Sequence, residues 1–456
     1  MLYVVSCLSK SKSLQAPRGM HDILPEEQRY WHYIFKKAER IIEDYGFEKI
    51  DTPIVEYTDL FLRGVGEGTD IVQKEMYSFK TRGGDDLSLR PEGTAGIVRA
   101  YIENGMQVWP HPVKLYYGGP MFRHDQPQAG RYRQHWQIGV ETLGDASEIV
   151  DAELIFMAYK ILESLGLKNY NVHLNSLGDA ASRAVYARAL KDYYRTRLKK
   201  VCGQCKNRFK KNILRMLDCK EEVCRETSKS VPPILDFLGE EAKRHFKRLI
   251  EILDESKVPY ILNQFLVRGQ DYYTHTIFEL MPEEKVEKQP TPVAPVDESV
   301  SILSILPPNT GLALGGGGRY DRLIDMFGGP KTPAAGFALG LDRIVLALKQ
   351  NDINVPEVGV RPKVFLAQLG DAAKKKSLVL FENLRKSGIE VKSSLGRDSI
   401  KSQLRIAHRL GVKFTLIFGQ KEALDGTIII REMDTGIQET ILLDKIVDAM
   451  KKRLKK

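Results

Sequence analysis

The stretch from Tyr116 to Glu141, YYGGPMFRHDQPQAGRYRQHWQIGVE, sets two apolar runs on either side of a Pro/Gly turn, and so commits the chain to a strand, a loop and a returning strand. The loop and its edges carry Arg123, Arg131 and Arg133 and no Lys. A guanidinium is a planar fork of donors that keeps its charge at any working pH, and it matches phosphate or carboxylate through two parallel bonds. A hairpin loop built this way clamps a polyanion. The pattern points to phosphate chemistry, against the blander reading of a solvated hairpin with a chance excess of Arg.

With 456 residues, the chain has room for two or three domains at roughly 100–200 residues each. A hydrophobic content of 43% with 28% charged residues is that of a globular protein with ample core material rather than a disordered one. No apolar run reaches the ~20 residues that cross a bilayer. The start, MLYVVSCLSKSKS, has no basic residue before its apolar patch and no small-residue cleavage site, so it does not read as a signal peptide. Residues 1–14 are expected to be an unstructured extension or a start placed too early. The net charge of +10 gains meaning from its concentration in KDYYRTRLKK, KNRFKKN and the terminal KKRLKK, blocks that a nucleic-acid backbone could use.

Periodicity then divides the chain. Trp31, Ile34, Phe35, Ala38, Ile41, Ile42 and Tyr45 predict an amphipathic helix between Pro25 and Gly46, and a second helix is expected from Ser147 to Leu165. FEKIDTPIVEY reads as a strand interrupted by Pro53, an edge or interface position because Pro cannot donate to a ladder. Residues 179–261 are helical in pattern, basic and Cys-containing, which marks an inserted domain within a core formed by 15–178 and 262–350. Residues 281–310, rich in Pro and Glu, read as a flexible loop, and 351–362 as a linker. Beyond it, VFLAQL, IEVKSS, FTLIFG and TIIIRE read as strands alternating with helices over Asp371–Ser387 and Ser399–Leu410. That alternation predicts a compact α/β domain over 363–456 with a largely parallel sheet, a binding module rather than a second active site.

Several segments are dense in polar, geometry-sensitive residues. LSLRPEGTAGIVRAYI sets Glu92, Gly93 and Thr94 at the entry to a helix, and LVRGQDYYTHTIFEL sets Arg268, Asp271, Tyr272 and Tyr273 just before a strand. GLALGGGGRYDRLI is a Gly run, followed by Arg319, that lets backbone approach a ligand closely. TPAAGFALGLDRIVLAL opens a helix after small residues, with Arg343 in its first turns. Singly, each also fits a turn, a core pair or a surface Arg. None is a Walker loop or a dinucleotide fingerprint. Cys202, Cys205, Cys219 and Cys224 have nearly the spacing of a four-thiolate zinc site, with disulfides the less expected alternative.

In this order the segments resemble histidyl-tRNA synthetases from about Gln15 onward. QAPRGMHDILPEE is similar to the family's amino-terminal signature, and GFEKIDTPIVE to class II motif 1 with Pro53 at its dimer-interface proline. FRHDQPQAGRYRQHWQIGVE resembles motif 2 and PAAGFALGLDRIVL motif 3. LVRGQDYYTHTIFE and GGGGRYD resemble the two histidine-specific signatures. The resemblance implies an α/β fold with an α+β catalytic core, a class II antiparallel sheet flanked by helices, a helical insertion and a carboxy-terminal α/β anticodon-binding domain. It implies activation of L-histidine by ATP with Mg²⁺, transfer to tRNA(His), and a cytoplasmic homodimer, with no membrane association.

By the same resemblance, Arg123 bridges the histidine carboxylate and the α-phosphate, and Arg268 lies on the other side of that phosphate, the two acting as catalytic cations. Arg131 and Arg343 grip the ATP tail. Glu92, Thr94 and Gln137 face the amino group of histidine, Glu141 and Tyr273 its ring nitrogens, and Tyr272 lines the same pocket, with Gly93 also among the histidine-binding residues. Asp125 stands where a Glu meets adenine, and His135 where a Phe stacks on it, with Trp136 following where His is common. Gln126 and Gln128 fall where the tRNA acceptor end is read, Gln126 in place of a frequent Arg. Two alternatives remain open: a non-catalytic histidine sensor related to the regulatory subunit of ATP phosphoribosyltransferase, and another class II synthetase. The sensor lacks the carboxy-terminal domain and the RGxDYY segment, both present here, and the histidine signatures oppose the second.

Overall fold

The computed structural model describes residues 14–66, 69–283, 312–356, 362–396 and 399–455. The expected extension before Leu14, the loop from 284 onward and the linker residues 357–361 lie outside the described residues. Contacts divide the chain into two units after Pro356.

The first unit contains β1 (Glu48–Lys49), β2 (Val55–Tyr57), β3 (Tyr77–Lys80), β4 (Asp86–Leu89), β5 (Val113–Phe122), β6 (Gln134–Leu143), β7 (Tyr170–Ser176), β8 (Tyr260–Leu262), β9 (Thr274–Pro282), β10 (Gly315–Arg319) and β11 (Ala334–Gly340). Eight of them form one sheet in the order β1-β5-β6-β11-β10-β9-β7-β8, and β2-β4-β3 form a small second one. Within the large sheet only β1 with β5 and β7 with β8 are parallel. The hairpin is as expected: β5 and β6 pair antiparallel from Val113 opposite Leu143 to Phe122 opposite Gln134. Pro53 does break its strand, leaving β1 and β2 on either side. Met281 and Pro282 complete β9, so the 281–310 loop cannot begin before Glu283.

Alternation of side chains along the strands gives the sheet two differently packed faces. Tyr116, Val140, Phe278 and Phe337 pack beneath the helices Gln28–Asp44, whose Trp31, Ile34, Ala38 and Ile42 recur at the three-and-four spacing read from the sequence, and Glu148–Ser164, which buries Ile155, Ala158 and Leu162. Tyr117, Met121, Leu143 and Ile277 face the other side, together with Ile97 and Tyr101 from the helix Thr94–Glu103 and Tyr186, Leu190 and Tyr194 from the helical segment between β7 and β8. The small-residue run expected only to precede a helix is itself the central strand β11, followed by the helix Leu341–Gln350. The Gly run is likewise a strand, β10, and a side chain at Gly317 or Gly318 would run into the neighbouring backbone.

The second unit has β12 (Val364–Gln368), β13 (Val391–Ser393), β14 (Phe414–Phe418), β15 (Thr427–Glu432) and β16 (Gln438–Leu442), in the order β13-β12-β14-β15-β16. The helices Asp371–Lys386 and Ile400–Arg409 match the sequence reading. The sheet is mixed rather than largely parallel: β12 pairs parallel with β13 and β14, but β14–β15 and β15–β16 are antiparallel. For β15 and β16 the reason is local. A short turn at Gly436, with φ +75°, joins β15 to β16, and so tight a connection permits only the antiparallel arrangement. Among the described residues no helix is long and apolar enough to cross a membrane.

Candidate functional site

On the face of the large sheet that carries Tyr117 lies a cavity of about 690 Å³. Small residues of the floor, Gly315, Gly316, Gly336 and Ala338, leave the room, because a strand without side chains on one face cannot fill the space above it. Arg123, Arg131, Arg268 and Arg343 all line it. They arrive from separate elements: Arg123 at the end of β5, Arg131 in the hairpin loop, Arg268 in the loop before β9, and Arg343 in the first turn of Leu341–Gln350.

Each guanidinium is held by part of its fork. Arg123 Nε donates to the Pro91 carbonyl at 2.8 Å. Arg343 donates from Nε to Gly130 O at 3.0 Å and from Nη1 to Ala313 O at 2.6 Å. Arg268 Nη1 donates to Glu279 Oε1 at 2.5 Å, and its Cζ lies 5.4 Å from the Tyr273 ring centroid. Arg131 Nη1 sits 3.5 Å from Asp125 Oδ2. The Nε donors of Arg131 and Arg268 are buried and meet no protein acceptor. Both residues line the cavity, where a bound anion can supply the missing acceptor. The crowding is costly: burial and the neighbouring Arg131 and Arg123 pull the Arg343 guanidinium down to about 10. A bound polyanion relieves it.

Beside the cations is a pocket of buried hydroxyls and carboxyls. Glu92 closes the amino-terminal end of Thr94–Glu103, accepting from the N–H groups of Thr94 at 3.0 Å and Ala95 at 2.7 Å, with Tyr272 Oη at 3.3 Å. Burial still pushes its carboxyl above the ordinary range, against the pull of those N–H groups and Arg123. Gly93 is required by the packing, since a side chain there would strike the Tyr117 ring. Glu141 is different from what the sequence reading expected. It lies one layer behind the lining, 1% exposed, with Oε1 accepting from Thr94 Oγ1 at 2.7 Å and Oε2 from Tyr320 Oη at 2.5 Å. Burial pushes its carboxyl up to about 8, while the hydroxyl bonds pull the other way.

Of the residues expected at the site, Glu92, Gly93, Thr94, Arg123, Asp125, Gln128, Arg131, His135, Gln137, Arg268, Tyr272, Tyr273 and Arg343 share the cavity lining, whereas Glu141 and Gln126 do not. His135 is neutral, its imidazole driven down to about 3 by burial and by Arg123 and Arg343. The next ring, Trp136, packs against Trp31 and Phe35 on the opposite face. Arg319, which follows the Gly run, does not reach the cavity. It is 1% exposed and spans Asp151 at 2.6 Å and the carbonyls of Asp145 and Ser147, each at 2.9 Å. Tyr117, Tyr320, Asn263 and Glu279 line the cavity without having been singled out. Strand alternation from Arg319 would have put Tyr320 on the cavity face.

The sulfurs of Cys202, Cys205, Cys219 and Cys224 lie within 4.8 Å of one another, with Cys202 and Cys219 at 3.9 Å and no disulfide among them. Four thiolates around a tetrahedral zinc at ~2.3 Å would stand about 3.8 Å apart, so the set fits that ion. Cys219 also borders the cavity, followed by Lys220.

Comparison with known proteins gives one consistent picture. Residues 19–288 match a family model described as histidyl-tRNA synthetase, and residues 363–453 one described as anticodon binding domain. The chain is 45% identical over 440 residues to a histidine–tRNA ligase of Dehalococcoides mccartyi, spanning 96% of this chain and 100% of that protein. A histidine–tRNA ligase of Pelotomaculum thermopropionicum is 44% identical, over 96% and 97% of the two chains. Among solved structures, the apo histidyl-tRNA synthetase of S. aureus superposes with a TM-score of 0.74 at 37% identity, covering 96% of this chain and 100% of that one.

Proposed function

Since the chain belongs to the histidyl-tRNA synthetase family and is a histidine–tRNA ligase, we propose how its cavity divides the work of that reaction. The ligase joins histidine to AMP at the expense of ATP, which enters with Mg²⁺, and then passes the histidyl group to tRNA. In the first step a carboxylate attacks the α-phosphorus and pyrophosphate leaves. A carboxylate is already a nucleophile at neutral pH, so the step needs no general base. What it needs is alignment and fixed positive charge where the phosphate oxygens gain electrons.

The observation that carries this reading is the meeting of Arg123, Arg131, Arg268 and Arg343, from separate elements, in one cavity beside a pocket of buried hydroxyls and carboxyls. Arg123 bridges the histidine carboxylate and the α-phosphate, and Arg268 meets that phosphate from the other side. Arg131 and Arg343 hold the remaining phosphates. Neutral His135 offers its face to adenine without adding charge, and Asp125 borders the same base. Glu92, Thr94, Gln137 and the Gly93 backbone receive the ammonium. Tyr272 and Tyr273 receive the ring, and Glu141 acts on it through Thr94 and Tyr320, whose hydroxyls occupy both its oxygens. A pocket of buried polar partners rejects analogues lacking their counterparts by on the order of 10⁴.

Gln126 and Gln128 of the hairpin loop face the acceptor end of tRNA(His), and residues 363–456 its anticodon. The helical segment 179–261 is the inserted domain, pinned by a structural zinc on Cys202, Cys205, Cys219 and Cys224. The enzyme is a cytoplasmic homodimer. Exposed Ile54, Val55, Tyr57 and Phe79 around Pro53 supply the apolar patch that such an interface covers. Exchange of labelled pyrophosphate into ATP, run with each amino acid in turn, tests the reading. Exchange with histidine alone is expected. Exchange with another amino acid, or with none, would overturn it, and less than half an equivalent of zinc per chain would remove the metal.

A further inference from the structure

Arg268 stands in a loop with little structure of its own: from Asn263 to Tyr273, between β8 and β9, the chain is turns and irregular backbone. Backbone of that sort keeps its place through outside partners, and around Gly269–Tyr273 four of these contacts come from the helical segment between β7 and β8. Asn212 Nδ2 donates to Asp271 Oδ1 at 2.7 Å. Arg215 Nη1 donates to the carbonyl of Gly269, the residue after Arg268, at 3.2 Å. Arg183 Nη1 reaches the carbonyls of Asp271 at 3.1 Å and Tyr273 at 3.2 Å. On the other side, the Asp271 N–H donates to Val65 O at 3.1 Å.

Arg215 is itself fixed. Arg208 Nη1 donates to its carbonyl at 3.0 Å, both guanidiniums approach Asp70, at 3.6 and 3.5 Å, and both side chains are only 16% exposed. Asn212 and Arg215 also lie between Cys205 and Cys219, so the thiol cluster frames the span that presents them. An Arg serving only to stabilise the inserted segment would have no need to reach the residue next to a cavity guanidinium.

We propose that Arg215, assisted by Asn212, is a positioning residue for histidine activation: by tying down Gly269 and Asp271 it holds Arg268 where the α-phosphate gains charge. The proposal rests on the role given to Arg268 above. Displacement of a catalytic group by about 1 Å costs on the order of 10²-fold in rate. Ground-state contacts to histidine come from other residues, so the loss falls on kcat rather than KM. Lysine has a single point charge in place of the fork, so Arg215→Lys restores only part of the rate.

The test is a double-mutant cycle on pyrophosphate exchange with Arg215→Met, Arg268→Ala and the double variant, melting midpoint and metal content being measured for each. Arg215→Met is expected to lower kcat about 30-fold with KM for histidine changed less than about threefold, and to change kcat less than about twofold in the Arg268→Ala background. Asn212→Ala, a smaller perturbation, repeats the pattern with a smaller loss and keeps the question answerable if Arg215→Met fails to fold. Equal losses in the two backgrounds, or an unchanged kcat, would overturn the proposal. If Arg268→Ala by itself left kcat intact, the role of Arg268 would be wrong and this proposal would fall with it.

Discussion

The two units bury different kinds of polar group. The first encloses Arg90, Glu92, Glu141, Asp151, Arg319 and Asp342, while the buried polar side chains among the described residues of the second are Gln368, Ser377, Gln403 and Thr415, none of them charged. Within the neutral set, Gln403 donates to the Gln368 carbonyl at 2.7 Å and accepts from its N–H at 3.0 Å. Around its cavity the first unit also holds Arg131 and Arg268, whose Nε donors meet no acceptor within the protein. A chain held together by ordinary packing has no use for that expense. A site that stabilises charge developing on phosphate does, because donors already in place cost no reorganisation when the reaction occurs.

The largest expected effect tests whether the unsatisfied charge is catalytic. Arg268→Ala should lower kcat for pyrophosphate exchange about 10³-fold, the scale of losing one preorganised donor, with a small change in KM for histidine. A KM effect alone would make Arg268 a binding residue. Asp151→Ala strips Arg319 of its buried carboxylate and should cost about 3–5 kcal/mol in chemical denaturation. Gln403→Ala, in the second unit, should cost about 1–3 kcal/mol by leaving a neutral N–H unsatisfied. Equal losses would erase the contrast between the units.

The smallest effect is a dependence on pH. Glu141, raised to about 8 by burial, keeps its proton in the folded chain at pH values above about 4.3, where the unfolded chain has lost it. The folded state then holds the extra proton, so stability is complete at low pH and declines as pH rises toward about 8. Glu92 and Glu279, also raised by burial, act in the same direction. Denaturation of the ligand-free protein between pH 6 and 8.5 should show a decline of up to about 1.4 kcal/mol per pH unit from Glu141. Glu141→Gln should flatten it. An unaltered slope would mean that Glu141 is ionised in the free enzyme.

Much of this was legible before any coordinates. The helix Gln28–Asp44 follows from apolar spacing, Glu148–Ser164 was expected as a second helix, and the β5–β6 hairpin follows from two apolar runs about an Arg-bearing turn. What escaped depends on contacts remote in sequence. Residues of β11 are poor strand formers, and their conformation is imposed by pairing with β6 and β10 on either side. Arg319 looked available for a ligand because its partner Asp151 is far off in the chain, and Glu141 looked like a direct ligand because nothing local shows that Thr94 and Tyr320 stand in front of it. Sequence brings out which charges exist. The fold decides which of them are already paired.

Whether Arg123 and Arg268 converge on one phosphorus centre is settled most directly by a crystal of the enzyme with histidine and a non-hydrolysable ATP analogue. Both guanidiniums should lie within hydrogen-bonding distance, about 3 Å, of α-phosphate oxygens, with the histidine ring among Tyr272, Tyr273 and Thr94. An α-phosphate contacted by neither Arg, or a histidine bound outside that pocket, would contradict the account.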